Sequence, residues 1–403
     1  MAFILVTVFL AALAATIVVP VLPQLLKSLT GDAMAQMSTV FGAMTTLYAG
    51  MQLFAGPVQG ALSDRFGRRP VILISTFGQA VDSVLMALAP TLSWLFAARA
   101  VAGVCAGSVT AASAYVADVS EPDERAARFG LLAAVFSAGG AAGYLIGGLL
   151  GETNPRAPFW IAAGLGFINL LYGYFVLPES LSPELRAPLK WRSIHPVGAV
   201  ASIWRDYPIL KSWQAAMFLI SFGITGVNSI FILYVTFRFG WTPRIIGFYA
   251  TFVMVSSIAI QSGLVSRSIK LLGERRTLLT GVVVQTIAIA ASGLAVAGSQ
   301  FVAAVFLLLI GGVAEPVRLA IINRIIGASD RGRLSGAERS IISLNGVIAP
   351  TVFGVMFAAV VGAGPLAPRV GIPFFVSAVL MIPAFAITLW SVNRSPTPAD
   401  ATR

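Results

Sequence analysis

The chain has 403 residues, of which 57% are hydrophobic and only 11% charged, against about 25% charged in an ordinary soluble domain. A water-exposed fold does not hide that much apolar surface, so a soluble globular domain is excluded. The formal net charge of +11 would suit a nucleic-acid binder, but its distribution follows membrane topology, and nucleic acid is excluded as a partner.

Hydrocarbon needs about 20 apolar residues per crossing helix. Such runs recur at roughly 2–25, 38–60, 70–89, 92–118, 126–150, 157–177, 213–237, 245–266, 277–297, 301–323, 336–362 and 371–391. The reading is an all-α polytopic membrane protein in the lipid bilayer, with twelve transmembrane helices in two pseudo-symmetric six-helix bundles. Segments of about ten residues with alternating polarity, the mark of a β-barrel, are absent. The first run has no Lys or Arg before it and is long, so it reads as a span rather than a signal peptide. The missing basic tail suggests a natural start upstream of Met1.

Between the second and third runs lies Gly60-Ala-Leu-Ser-Asp64-Arg65-Phe66-Gly67-Arg68-Arg69-Pro70, whose charges must sit at a membrane surface. Asp64 falls where the second helix ends and Arg68 four residues on. Asp118 closes the fourth helix. Carboxylates and a guanidinium so placed form charge-assisted bonds of about 1.5–3 kcal/mol each; the alternative reading is charge that only sets topology. Gly67 allows a turn with positive φ, and Pro70 suits the first turn of a helix. Inside the spans, Asp82 and Arg99 lie at nearly equal depth on either side of a hairpin at Pro90, and are expected to pair. Cys105 reads as a small core residue with no internal disulfide. Gly139, Gly143 and Gly147 in the fifth helix form a small-residue stripe, and Pro350 and Gly354 mark the eleventh; both helices are expected to pack closely.

The polar, proline-bearing stretch 178–212 is the expected cytoplasmic linker between bundles 1–177 and 213–391, with His195 an ordinary surface residue; 392–403 is a cytoplasmic tail. The Gly60–Arg69 pattern recurs loosely as Gly263, Arg267, Gly273, Arg275 and Arg276, as an internal repeat would. In the tenth helix Glu315 and Arg318 share a face, with Pro316 between them. A carboxyl there is a candidate proton carrier, with a local salt bridge the alternative reading. Leu334 to Glu338 reads as a polar loop. Gln52, Asn169, Asn228, Gln261, Gln285 and Asn345 are candidates for lining a substrate cavity or for interhelical hydrogen bonds. With the N-terminus inside, 20 of the 27 Lys and Arg fall in cytoplasmic segments, so both ends are expected in the cytoplasm.

No phosphate-binding loop, metal-spaced His/Cys cluster or nucleophile elbow occurs in the sequence. The chain is therefore read as no enzyme, without metal or cofactor, and a proton gradient is the expected energy source.

The 60–70 loop, by its spacing and position, resembles the signature of the major facilitator superfamily. The likeness narrows to the tetracycline-efflux branch of the drug:proton antiporters through Pro20-Val-Leu-Pro23, Arg99-Ala-Val-Ala-Gly103, Ala114-Tyr-Val-Ala-Asp118, Asp123-Glu-Arg-Ala126, Leu177-Pro-Glu-Ser180 and Gly273-Glu-Arg-Arg276. The resemblance implies an inner-membrane exporter of small amphipathic compounds, working as a monomer by alternating access. It also implies a cytoplasmic gate cluster at Asp64, Arg68 and Asp118, and an Asp and an Arg at the positions of Asp82 and Arg99, a pair that reads either as functional or as a purely structural ion pair. Ala11, Gln285 and Ser257 stand where that branch carries two carboxylates and a histidine, and Gly143-Tyr144 where its antiporter motif has Gly-Pro. Glu315 and Arg318 are not part of the tetracycline-pump pattern. The alternatives are an uncoupled facilitator or metabolite exporter and, from another class, a transport-dead receptor or scaffold, which would usually need an extra soluble domain.

Overall fold

The computed structural model describes residues 1–31, 33–121, 123–186, 202–327, 330–362 and 364–395. Lys190, Arg192 and His195 of the expected linker, and the expected tail beyond 395, lie outside the described residues. Regular structure among the described residues is helical. The principal helices are α1 (Ala2–Ile17), α2 (Leu22–Thr30), α3 (Met34–Phe66), α4 (Arg68–Leu88), α5 (Leu92–Val104), α6 (Ser108–Asp118), α7 (Arg125–Gly151), α8 (Ala157–Val176), α9 (Leu210–Phe239), α10 (Pro243–Leu272), α11 (Glu274–Leu294), α12 (Gly298–Gly311), α13 (Ala314–Ile325), α14 (Arg331–Val361) and α15 (Ile372–Arg394).

Ten described helical stretches are long and apolar enough to cross a membrane. Three expected spans are interrupted: the first by a 3₁₀ turn at Val19–Val21 where Pro20 removes an amide, the fourth between α5 and α6, and the tenth between α12 and α13. The second expected span coincides with α3, whose 33 residues include enough Gln, Ser, Thr and Gly to keep it out of the ten. Leu334 to Glu338, expected as a loop, is helical within α14. Leu334, Ala337 and Ile341 recur at helical spacing and are buried, and burying that face outweighs the polarity of the residues between them.

One compact unit takes in the described residues of Met1–Ile194 with Gly240–Val255; the other takes in those of His195–Phe239 and Ser256–Arg403. In the first, α1 packs on α7 and α8, α3 on α5, and α4 on α5, α6 and α8. In the second, α9 packs on α14 and α15, and α11 on α12, α13 and α15. Side chains such as Phe54, Phe175 and Leu271 point outward, where lipid rather than water suits them.

The glycine stripe of α7 lies on α1. A Cβ at Gly143 would come within 2.6 Å of the Leu13 carbonyl oxygen, and one at Gly139 within 2.5 Å of that of Phe9. Close approach lets side chains reach backbone across the interface: Thr16 Oγ1 donates to Gly140 O at 3.0 Å. On the same helix, Gly148 meets Gly247 of α10, and Thr251 Oγ1 donates to Ala141 O at 3.0 Å. In the second unit, Gly226 of α9 leaves room for Phe353 of α14, beside Pro350 and Gly354.

Gly143→Val is expected to destabilise the first unit by about 1–3 kcal/mol, as overpacking does. Gly164→Ala, where a Cβ meets nothing within 4 Å, should change little. Thermal unfolding of the purified chain in detergent reads both.

Candidate functional site

The α3–α4 turn is built on Gly67, at φ +107. This conformation is open to glycine and strained for other residues. The turn brings Arg68 back toward the helix just ended. Its guanidinium pairs with Asp64 at 2.5 Å and with Asp118, the last residue of α6, at 2.9 Å. It also donates to Ser63 Oγ at 3.2 Å. The three charges singled out in the sequence thus meet on three helices.

A third carboxylate joins them, Glu179, which the sequence reading quoted within Leu177-Pro-Glu-Ser180 without placing it in this cluster. Glu179 Oε1 accepts the Arg68 amide at 2.7 Å and Oε2 the Arg69 amide at 3.1 Å. These are first-turn amides of α4 that lack an intrahelical partner, and an anion there is favoured by the helix dipole. Glu179 also accepts from the amides of Ser180 and Leu181, and Ser180 Oγ donates to Asp118 at 3.0 Å. A Cβ on Gly67 would collide with the Glu179 carboxylate, so that glycine is required twice over. Arg69 donates to the Tyr174 carbonyl, and exposed Arg65 lies 5.2 Å from the Phe66 ring centre. A Cβ on Gly60 would meet open space, and nothing in this conformation requires a glycine there.

Asp82 of α4 and Arg99 of α5 form an ion pair, with Arg99 6.0 Å from the Tyr48 ring of α3. Asp82 Oδ1 and Arg99 Nε are buried with no hydrogen-bond partner. Tyr48 escaped the sequence reading because nothing local marks one tyrosine among the apolar residues of α3.

Glu315 and Arg318 of α13 are bonded twice, at 2.9 and 2.6 Å. Arg318 Nη1 also pairs with Glu338 of α14 at 2.8 Å. This third member went unrecognised because its segment read as a loop.

The cavity candidates divide. Asn169 Nδ2 donates to Thr7 O at 3.0 Å, joining α8 to α1, and Asn345 Nδ2 donates to Phe218 O at 3.1 Å and to Ser221 Oγ, joining α14 to α9. Gln285 is buried against Gly311. Gln52 and Asn228 are exposed; so is Gln261, which donates to Ser257 Oγ at 2.8 Å. Ala11 lines a small pocket with Thr7, Ile72, Ser108, Ala112 and Phe136, whose side-chain polar groups are two hydroxyls.

The second unit echoes the first at the α10–α11 turn, where Gly273 has φ +76 and is followed by Glu274, paired with Arg324. In the same unit, Arg333 bridges Asp330 at 2.7 Å and Asp206 at 2.6 Å. The Arg333 and Tyr207 hydrogen bonds hold the Asp330 carboxyl below its usual range. Their stabilisation is present above that range and lost as pH falls through the lowered folded value.

Long apolar helices with ion pairs set among them, and charges gathered at a helix turn, are those of a multi-pass membrane protein. The Major Facilitator Superfamily model matches residues 4–270, and the chain belongs to that family. It is 34% identical to the class C tetracycline resistance protein of Escherichia coli, over 88% of each chain. It is 26% identical to multidrug resistance protein 2 of Bacillus subtilis, over 97% of this chain and 95% of that protein. Its fold matches an inward-facing, occupied bacterial homologue of the human lysosomal transporter Spinster with a TM-score of 0.78, at 15% identity and 98% coverage of both chains.

Glu179→Ala is expected to cost about 1–3 kcal/mol, since it strands buried amides, and Gly67→Ala to be at least as harmful. Gly60→Ala should be neutral for stability. Thermal unfolding with limited trypsin digestion at Arg65 and Arg68 reads all three.

Proposed function

We propose that this chain exports a small amphipathic compound across the bacterial inner membrane in exchange for protons. Two six-helix bundles, 1–177 and 213–391, joined by a cytoplasmic linker at 178–212, open a central site alternately to either side. Both termini, with the 392–403 tail, lie in the cytoplasm, and the working unit is a monomer that needs no cofactor. The observation that carries the reading is the Arg68 cluster. One guanidinium holds the ends of α3 and α6 together at the α4 start, as a latch on the cytoplasmic gate would. Likeness to tetracycline and multidrug resistance proteins supports export of a drug-like compound.

The energetics are adequate. One proton crossing roughly 200 mV yields about 4–5 kcal/mol, which sustains about a thousandfold gradient. Asp82 and Glu315 are the candidate carriers. A second reading, an uncoupled facilitator or metabolite exporter, is favoured by one observation: Ala11 and Gln285 cannot carry a proton.

A drug-susceptibility screen in an efflux-deficient host identifies the substrate, with a raised tolerance to tetracycline or another amphipathic compound the expected outcome. Everted vesicles holding a pH dye should then report proton release when that compound is added. Transport without proton movement would establish the facilitator instead. Asp82→Asn and Glu315→Gln, if both leave proton-driven transport intact, remove these two residues from coupling.

A further inference from the structure

We infer that Glu315 carries the transported proton and that Glu338 is the positioning residue that makes it possible, an assignment that rests on the proton-exchange reading. Charge counting separates the two intramembrane clusters. Asp82 and Arg99 are neutral as an ion pair, so a proton arriving on Asp82 leaves Arg99 a bare cation beside the Tyr48 ring. Glu315, Arg318 and Glu338 are two carboxylates on one guanidinium. A proton arriving there leaves a neutral Arg318–Glu338 pair. Among apolar helices an unpaired ion is the costly state, so by charge count the triad is the better acceptor of one proton.

Burial selects the carboxylate. The Glu315 side chain is 55% exposed, whereas those of Arg318 and Glu338 are 5% and 12% exposed. Glu315 is thus the member of the triad that a proton can reach from outside the packed helices. The proton bonds to one Glu315 oxygen, the Nε and Nη2 bonds from Arg318 are given up, and the Nη1 bond to Glu338 at 2.8 Å remains. On release to water the carboxylate takes the guanidinium back.

Glu315 also sits beside an interruption of the backbone helix. α12 stops at Gly311, the Gly312 amide is shared between the Leu308 and Leu309 carbonyls, and Pro316 follows without an amide of its own. Interrupted helices at membrane depth are where transporters place ion sites.

Other charges nearby are engaged or solvent-facing. On α11, Glu274 holds Arg324, Arg275 donates to Ser395 O and Arg276 is exposed. On α14, Arg333 is held by Asp206 and Asp330, while Arg331 and Arg339 are exposed. On α9, Arg238 is taken up by the carbonyls of Ala295 and Ala367, and Lys211 is exposed at the opposite end.

The test uses the full chain in lipid, with protons as the ligand, followed by infrared difference spectroscopy between about pH 5 and about pH 9. The wild type should show a protonated-carboxyl band that Glu315→Gln abolishes and Glu315→Asp retains, with unchanged thermal unfolding reporting intact folds. Glu338→Gln should move the band's midpoint toward acid by about tenfold in proton concentration or more, and Glu338→Asp should restore it. Asp82→Asn should leave the band unchanged. A band that survives Glu315→Gln, or vanishes in Asp82→Asn, while wild-type vesicles still exchange protons for drug, overturns the assignment and leaves the exchange reading standing. A wild type that moves no proton with any transported drug overturns the exchange reading and this assignment with it.

Discussion

Hydrocarbon does not solvate a bare ion, and each charge at mid-helix costs about 2.5–3.5 kcal/mol on insertion scales. This constraint organises the chain. Arg99 meets Asp82, and Arg318 meets Glu315 and Glu338. Even buried Arg238, at the end of α9, is satisfied by main-chain carbonyls of Ala295, Pro365 and Ala367. Charged side chains survive in an apolar bundle only where the tertiary structure supplies such partners, and those places are where a transport cycle can act on them.

The same economy governs the backbone. Helices satisfy their own amides except at their ends, and the α4 start is satisfied from outside by Glu179. Gly67 provides the sharp turn and the space for that carboxylate, and Ser180 ties the same segment to Asp118. The Arg68 cluster is therefore a shared structure of a turn, helix ends and the stretch of chain leaving α8. In apolar surroundings, packing has to replace hydrophobic attraction as the force between helices. The glycine stripe of α7 meets this need by bringing α1 close enough for Thr16 to reach the Gly140 carbonyl.

Much of this was legible in the sequence. Apolar run length located the helices, because about 20 residues at 1.5 Å rise is a fixed requirement of the bilayer. Pairing of Asp82 with Arg99 followed from equal distances to the hairpin at Pro90, and the Glu315–Arg318 contact from helical spacing. The Asp64–Arg68 pair is likewise local. Polar residues were harder to place: Asn169 and Asn345 bridge helices, whereas Gln52 and Asn228 are exposed. Composition carries no information on which way such a side chain faces.

The sequence by itself determined the membrane class, the helix positions and the local charge pairs, since these follow from hydropathy, spacing and the cost of an unpaired ion. Only the tertiary structure decided that Glu179 caps α4, that Tyr48 lies beside Arg99 and that Glu338 makes a triad of a pair. Glu179 lies 111 residues from the amide it accepts and Glu338 lies 20 from the arginine it holds. Contacts across such separations are set by how helices pack against one another, and no periodicity along a single chain encodes them.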